Sequence, residues 1–226
     1  MPAATQIRVE SLNTGVYERL KGMIARREIQ PGSRLVQQTL AKQLGTSPMP
    51  IIEALRRLER DGLVTHVPHL GSFVRESTVE DLRELYCIRR GLETEACRLF
   101  VERATAEEKR MLVDLNDRLN TSANSGDIAD YIEADLEFHM HIVSCARVNR
   151  LKEIIENRHI EEKIFQSAPE LQTGGRTEHL IGMHDEIVKA ILAGDEEAAA
   201  TAMREHLKEA ERQYLATVHE MKKHMK

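Results

Sequence analysis

From Thr78 onward, apolar residues recur at spacings of three and four rather than two. Six successive stretches carry the pattern: 79–102, 105–124, 128–146, 148–166, 176–193 and 195–222. That period gathers apolar side chains on one face of a helix, whereas a half-buried strand needs strict alternation. Two thirds of the chain is therefore restricted to an all-helical bundle. The breaks carry helix-end chemistry: Thr105 followed by Glu108 fits a capping box, as does the acidic opening after Gly194. The stretch 167–175, with Pro169, Gly174 and Gly175, reads as a connecting loop, and no internal repeat is present.

The greasy faces of this bundle carry polar residues that need partners. Asp135 and His139 lie four apart, so both project from one helical face together with Ile128, Ile132, Leu136, Ile142 and Val143. His184 falls among Leu180, Ile187, Val188 and Ile191, and His206 among Ala199, Met203 and Leu207. A lone histidine on such a face is ordinarily a satisfied core residue. Four convergent candidates point instead to one divalent cation, because imidazole and carboxylate suit zinc, the first expectation, and also nickel, cobalt or iron. Arg89 shares the apolar stripe of Leu82, Leu85, Leu92 and Ala96, so it too points inward. It reads as a fork for a small carboxylate effector, as a salt-bridge partner of Glu93 one turn later, or as both. His141, His159 and His179, placed on a flank, near loops or on polar faces, stay outside the expected metal shell.

The amino-terminal third differs in kind. Residues 1–75 hold 11 basic and 6 acidic side chains, a net charge of +5, while the remainder carries −10. A basic module joined to an acidic one implies an anionic partner at one end only. Leu12, Val16, Leu20, Met23 and Ile24 repeat at helical spacing up to Pro31-Gly32. A second helix is expected from about Gln37 to Leu44. A third is capped by Ser47, opens with Pro48 and stops at Gly62, with Ile51, Ala54, Leu55 and Leu58 inward. Two β-prone runs between Leu63 and Val74, flanking Pro68-His69-Leu70-Gly71, predict a hairpin. Three helices and a two-stranded hairpin describe a winged helix-turn-helix whose third helix enters the major groove.

The ordered series P31-G-S-R-L35, L40-A-K-Q-L-G45, P50-I-I-E-A-L-R-R-L-E-R-D-G-L-V64 and G71-S-F-V74 resembles the winged helix of the GntR family of bacterial transcription regulators, from about residue 12 to 75. The resemblance implies operator DNA as partner and assigns contacts to Arg34, Lys42, Ser47, Arg56, His69 and Gly71. One departure matters: the family usually places arginines where this chain has Gln38, Pro48 and Ile52. Neither Pro48 nor Ile52 can supply bidentate guanine contacts.

Beyond residue 76 the chain resembles the all-helical effector domain, called FCD, of that family's FadR branch. The matching pieces are I88-R-R-G-L-E93, D135-L-E-F-H139, N149-R-L151, H184-D-E-I-V-K-A-I-L-A-G-D195 and M203-R-E-H-L207. Six helices resemble the metal-binding subgroup, which implies Asp135, His139, His184 and His206 as ligands. The expected architecture is mainly α: a winged helix over 1–75 and a six-helix bundle for effector binding and dimerisation over 76–226.

Cys87, Cys97 and Cys145 match no metal or redox spacing, and the opening MPAATQIRVE lacks the apolar core of a secretion signal. The expectation is a cytoplasmic protein with reduced thiols and no membrane partner. Its function is read as that of a ligand-responsive, homodimeric transcription regulator rather than an enzyme. A metalloenzyme acting on a small organic acid is the alternative, as is a metal with a purely structural role.

Overall fold

A computed structural model describes residues 3–76, 78–125, 127–166 and 178–224. The chain divides into two compact units, Met1–Ser77 and Thr78–Lys226.

In the first unit, helix α1 (Ala3–Ala25) is followed by strand β1 (Arg34–Leu35), helix α2 (Gln37–Gln43), helix α3 (Pro48–Arg60) and strands β2 (Val64–Val67) and β3 (Gly71–Val74). Val16, Tyr17, Leu20, Met23 and Ile24 of α1 are buried, as are Ile51, Ala54, Leu55 and Leu58 of α3, and the two helices pack together. Leu58 lies in the last turn of α3. Gly62, at φ 78°, then takes the left-handed conformation that releases the chain into β2.

The sheet has three strands rather than two. β1 joins the expected hairpin as an outer strand, in the order β1-β3-β2, all antiparallel, with Arg34 opposite Phe73 and Val64 opposite Val74. Two residues are too few to display a period of two, so this strand left no trace in the pattern. Ser47 also departs from expectation: it occupies the N-cap position of α3, yet its side chain makes no capping bond. An N-cap oxygen accepts from the N–H of the second or third helical residue, and the third is Pro50, which has none.

The second unit is built from α4 (Val79–Arg103), α5 (Ala106–Ser125), α6 (Ile128–Cys145), α7 (Asn149–Gln166), α8 (Glu178–Ala193) and α9 (Glu196–His224). The capping box before α5 is present: Thr105 N–H donates to Glu108 Oε2 at 2.7 Å and Glu108 N–H to Thr105 Oγ1 at 3.2 Å. A second, with Thr78 and Asp81, opens α4. Asp195 accepts the Ala198 N–H before α9, following Gly194 at φ 73°. The long helices α4 and α9 pack along each other, with α8 against α9, α6 against α4, and α5 against α6. Their shared core includes Leu82, Phe100, Leu112, Phe138, Ile142, Ile187 and Met203. Cys87 is exposed, and Cys97 and Cys145 are buried; all three are free thiols. Among the described residues no helix is long and apolar enough to cross a membrane. The expected loop over 167–175 and the side chain of His179 lie outside the described residues.

Candidate functional site

Three helices deliver one polar cluster to the middle of this core. Asp135 and His139 come from successive turns of α6, His184 from α8 and His206 from α9. Each offers a ligand atom, and those atoms all lie within 4.8 Å of one another. The three imidazoles are nearly inaccessible, at 0%, 0% and 2% exposure, while the Asp135 side chain keeps a 13% exposed edge. Asp135 Oδ1 stands 3.2 Å from His184 Nε2 and 4.0 Å from His139 Nε2. The His184 and His206 rings approach to 4.1 Å between centroids.

Ring nitrogens held in such burial require partners. Among the described residues, His139 Nε2, His184 Nδ1 and His206 Nδ1 have no hydrogen-bond partner. The electrostatics favour the ligating forms. Burial, together with the neighbouring His184 and His139, drives His206 well below the ordinary histidine value, so it is neutral at pH 7. Burial lowers His139 likewise, against the opposing pull of Glu93 and Asp135. For Asp135, burial raises the carboxyl, but the His184 contact with the His139 and His206 fields outweighs it and holds the group well below the usual carboxylate range.

Behind the cluster lies a buried network. His139 Nδ1 donates to Glu93 Oε2 at 2.7 Å, which fixes the hydrogen on Nδ1 and turns the Nε2 lone pair toward the other ligands. Glu93 is in turn held by Arg89, whose Nε donates to Glu93 Oε1 at 2.6 Å. The other edge of the guanidinium meets Glu162, with Nη1 at 2.5 Å from Oε2. Tyr86 Oη donates to Glu162 Oε1 at 2.6 Å, and His159 Nδ1 stands 3.3 Å from Glu162 Oε2. Burial disfavours both carboxylates, but Arg89 and the histidines reverse the balance and keep Glu93 and Glu162 charged. A small, partly open recess reaches this assembly, lined by Tyr86, Arg89, Tyr131, Asp135, Glu162, His206 and Tyr214, among others.

Arg89 points inward, as its apolar stripe predicts, though both edges of its fork already engage glutamates. Glu162 was not anticipated. His159, expected near a loop or polar face, is 3% exposed and belongs to the network, though not to the four. Its place on α7, where polar residues occur on most faces, gave no periodic signal. His141 stays apart, its Nε2 2.8 Å from the Glu108 carbonyl oxygen.

In the first unit, Arg34, Lys42, Ser47, Arg56 and His69 are all exposed. A Cβ built on Gly71 would lie 3.6 Å from Arg34 Nε, so strand pairing brings Arg34 beside the wing glycine. Gly71 has φ 105° and His69, at the hairpin tip, φ 65°, so the wing turns through two left-handed residues. Arg56 faces Glu53 at 3.4 Å in an exposed pair of small energetic weight. Arg57 lies over the Tyr17 ring at 3.8 Å, and Tyr17 donates to Asp61 at 2.6 Å. Arg57 thus has a packing role in addition to its charge. Where arginines were expected, Gln38 and Pro48 are exposed and Ile52 is half-buried.

Comparison with known proteins accounts for both units. Residues 12–74 match the model of bacterial regulatory proteins of the gntR family, and residues 84–209 match the FCD domain. The chain is similar to the HTH-type transcriptional regulator YdhC of Bacillus subtilis strain 168. Those two are 30% identical over 192 residues, covering 84% of this chain and 85% of that protein. It is likewise similar to the HTH-type transcriptional regulator McbR of Escherichia coli K12, 31% identical over 156 residues, covering 69% and 71%. The solved structure of E. coli McbR/YncC superposes with a TM-score of 0.76 at 26% identity, covering 92% of this chain and 98% of that one.

Proposed function

Because the chain belongs to the gntR family of transcriptional regulators and carries an FCD domain, we propose that its helical unit binds a divalent metal through Asp135, His139, His184 and His206, and senses a small carboxylate effector there. The relatives are regulators rather than enzymes, so the chemistry asked of the site is binding, not turnover. A single observation carries the metal reading: three imidazoles and a carboxylate converge within 4.8 Å while buried ring nitrogens lack a partner among the described residues. A bound cation would satisfy those lone pairs and offset the Asp135 charge. Zinc is the first candidate, with nickel, cobalt or iron fitting the same nitrogen and oxygen set.

The effector reading rests on the recess. Asp135 and His206 form part of its wall, so a small acid entering there meets the cluster. Arg89 contributes through the N–H groups that Glu93 and Glu162 leave unengaged, and the two glutamates fix its position. In the amino-terminal unit, Arg34, Lys42, Ser47, Arg56, His69 and Gly71 form the proposed DNA surface. Its regulatory form is a cytoplasmic homodimer, since a two-fold operator needs two recognition helices at a fixed separation.

The near-complete burial of the three histidines also favours a closed, purely structural ion, and chelation separates the two readings. Elemental analysis of the purified protein is expected to find stoichiometric divalent metal that His184→Ala removes. For a sensing site, chelation abolishes calorimetric binding of a panel of small organic acids while the melting temperature changes by a few degrees. Collapse of the fold on chelation would instead assign the ion a structural role. Absence of metal from both proteins would overturn the proposal.

A further inference from the structure

The amino-terminal tip of α3 has lost hydrogen-bond donors of two kinds. Its side chains at the expected arginine places are Pro48 and Ile52, and its first and third residues, Pro48 and Pro50, have no backbone N–H. What the tip presents is carbon: Pro48 is exposed, Met49 is 63% exposed and Ile52 is half-buried. Met49 is among the most exposed large apolar side chains of the described residues, and its helix carries Arg56 one turn beyond Ile52. An apolar tip on a basic module is suited to an anionic partner that also displays apolar groups.

We infer that Met49 and Ile52 are specificity residues of the DNA-binding unit and read thymine through its C5-methyl group in the major groove. This rests on the unit's DNA-binding role. Guanine shows only acceptors along its major-groove edge and needs donors opposite them, which the Met49 and Ile52 side chains lack. Thymine pairs its O4 acceptor with a methyl that an aliphatic or thioether side chain can cover. Phosphate contacts from Lys42 and Arg34 supply affinity without sequence information. The sites selected by this protein therefore carry thymine, rather than the guanine an arginine would read, opposite the α3 tip.

The test uses the full chain and a duplex enriched by that chain from a random pool, then remade with deoxyuridine replacing thymidine, which deletes only the methyls. Dissociation constants by fluorescence anisotropy at fixed salt are expected to rise roughly three- to fivefold per contacted methyl on this replacement. For Met49→Ala and Ile52→Ala together, the thymine and uracil duplexes should bind alike, because the covering carbon is gone. Lys42→Ala should weaken both duplexes while preserving their ratio. Equal binding of the two duplexes by the unaltered protein would overturn the inference, as would an unchanged ratio in the double variant. Failure to enrich any duplex would overturn the DNA-binding role beneath it and is distinguishable from either result.

Discussion

Arg89 lies 1% exposed between Glu93 and Glu162, and its removal alone would leave two carboxylates in the interior without their cation. An uncompensated buried charge costs about 3–5 kcal/mol. Arg89→Ala is therefore expected to lower the unfolding free energy of the metal-free protein by about that much in urea titrations. Arg89→Met combined with Glu93→Gln and Glu162→Gln should lose much less, since no stranded charge remains. Equal losses in the two proteins would refute the account. At this scale the sequence was informative where a polar residue interrupted a clear apolar stripe, as for Asp135, His139, His184 and His206. Glu93 was legible only as the neighbour of Arg89 at helical spacing. Its bond to His139 joins α4 to α6 and depends on a packing that spacing within one helix does not specify. Glu162 and His159 belong to a helix whose polar residues occur on most faces, so their burial had no local signature.

Among the elements, α3 shows how two prolines reshape a helix start. Pro48 fits the first position at no cost, but Pro50 removes one of the two N–H groups that the Ser47 hydroxyl could have capped. The helix and its inner face were legible in the sequence, whereas the missing cap bond was not, since Ser47 followed by Pro48 reads as an ordinary capped start. Strand β1 escaped for want of length. The α3 tip supports a prediction in the opposite direction to the thymine inference: Ile52→Arg restores a bidentate donor. Affinity for sites with guanine at the facing position should rise by about 1–3 kcal/mol, with selection from a random pool moving from thymine to guanine there. An unchanged selection profile would mean that this position does not face a base.

At the scale of the whole molecule, regulation of the proposed kind requires the helical unit and the basic unit to influence each other. Such coupling is reciprocal: if an acid bound to the metal-loaded protein changes operator affinity by some factor, operator DNA must change acid affinity by the same factor. Titrating the acid with and without operator, and operator with and without the acid, is expected to give equal ratios within error. Unequal ratios would show that the two binding events do not close one thermodynamic cycle. The three thiols supply a means of watching this. Burial pushes Cys97 far above the ordinary thiol range and Cys145 up to about 11, so neither offers much thiolate at neutral pH. Cys87 is exposed on α4, two residues before Arg89. A thiol-reactive dye therefore has one favoured point of attachment, on the exposed face of α4 opposite the buried Arg89–Glu93 pair. The unaltered chain can thus carry a single optical reporter on the helix that supplies Arg89 and Glu93, with no engineered cysteine.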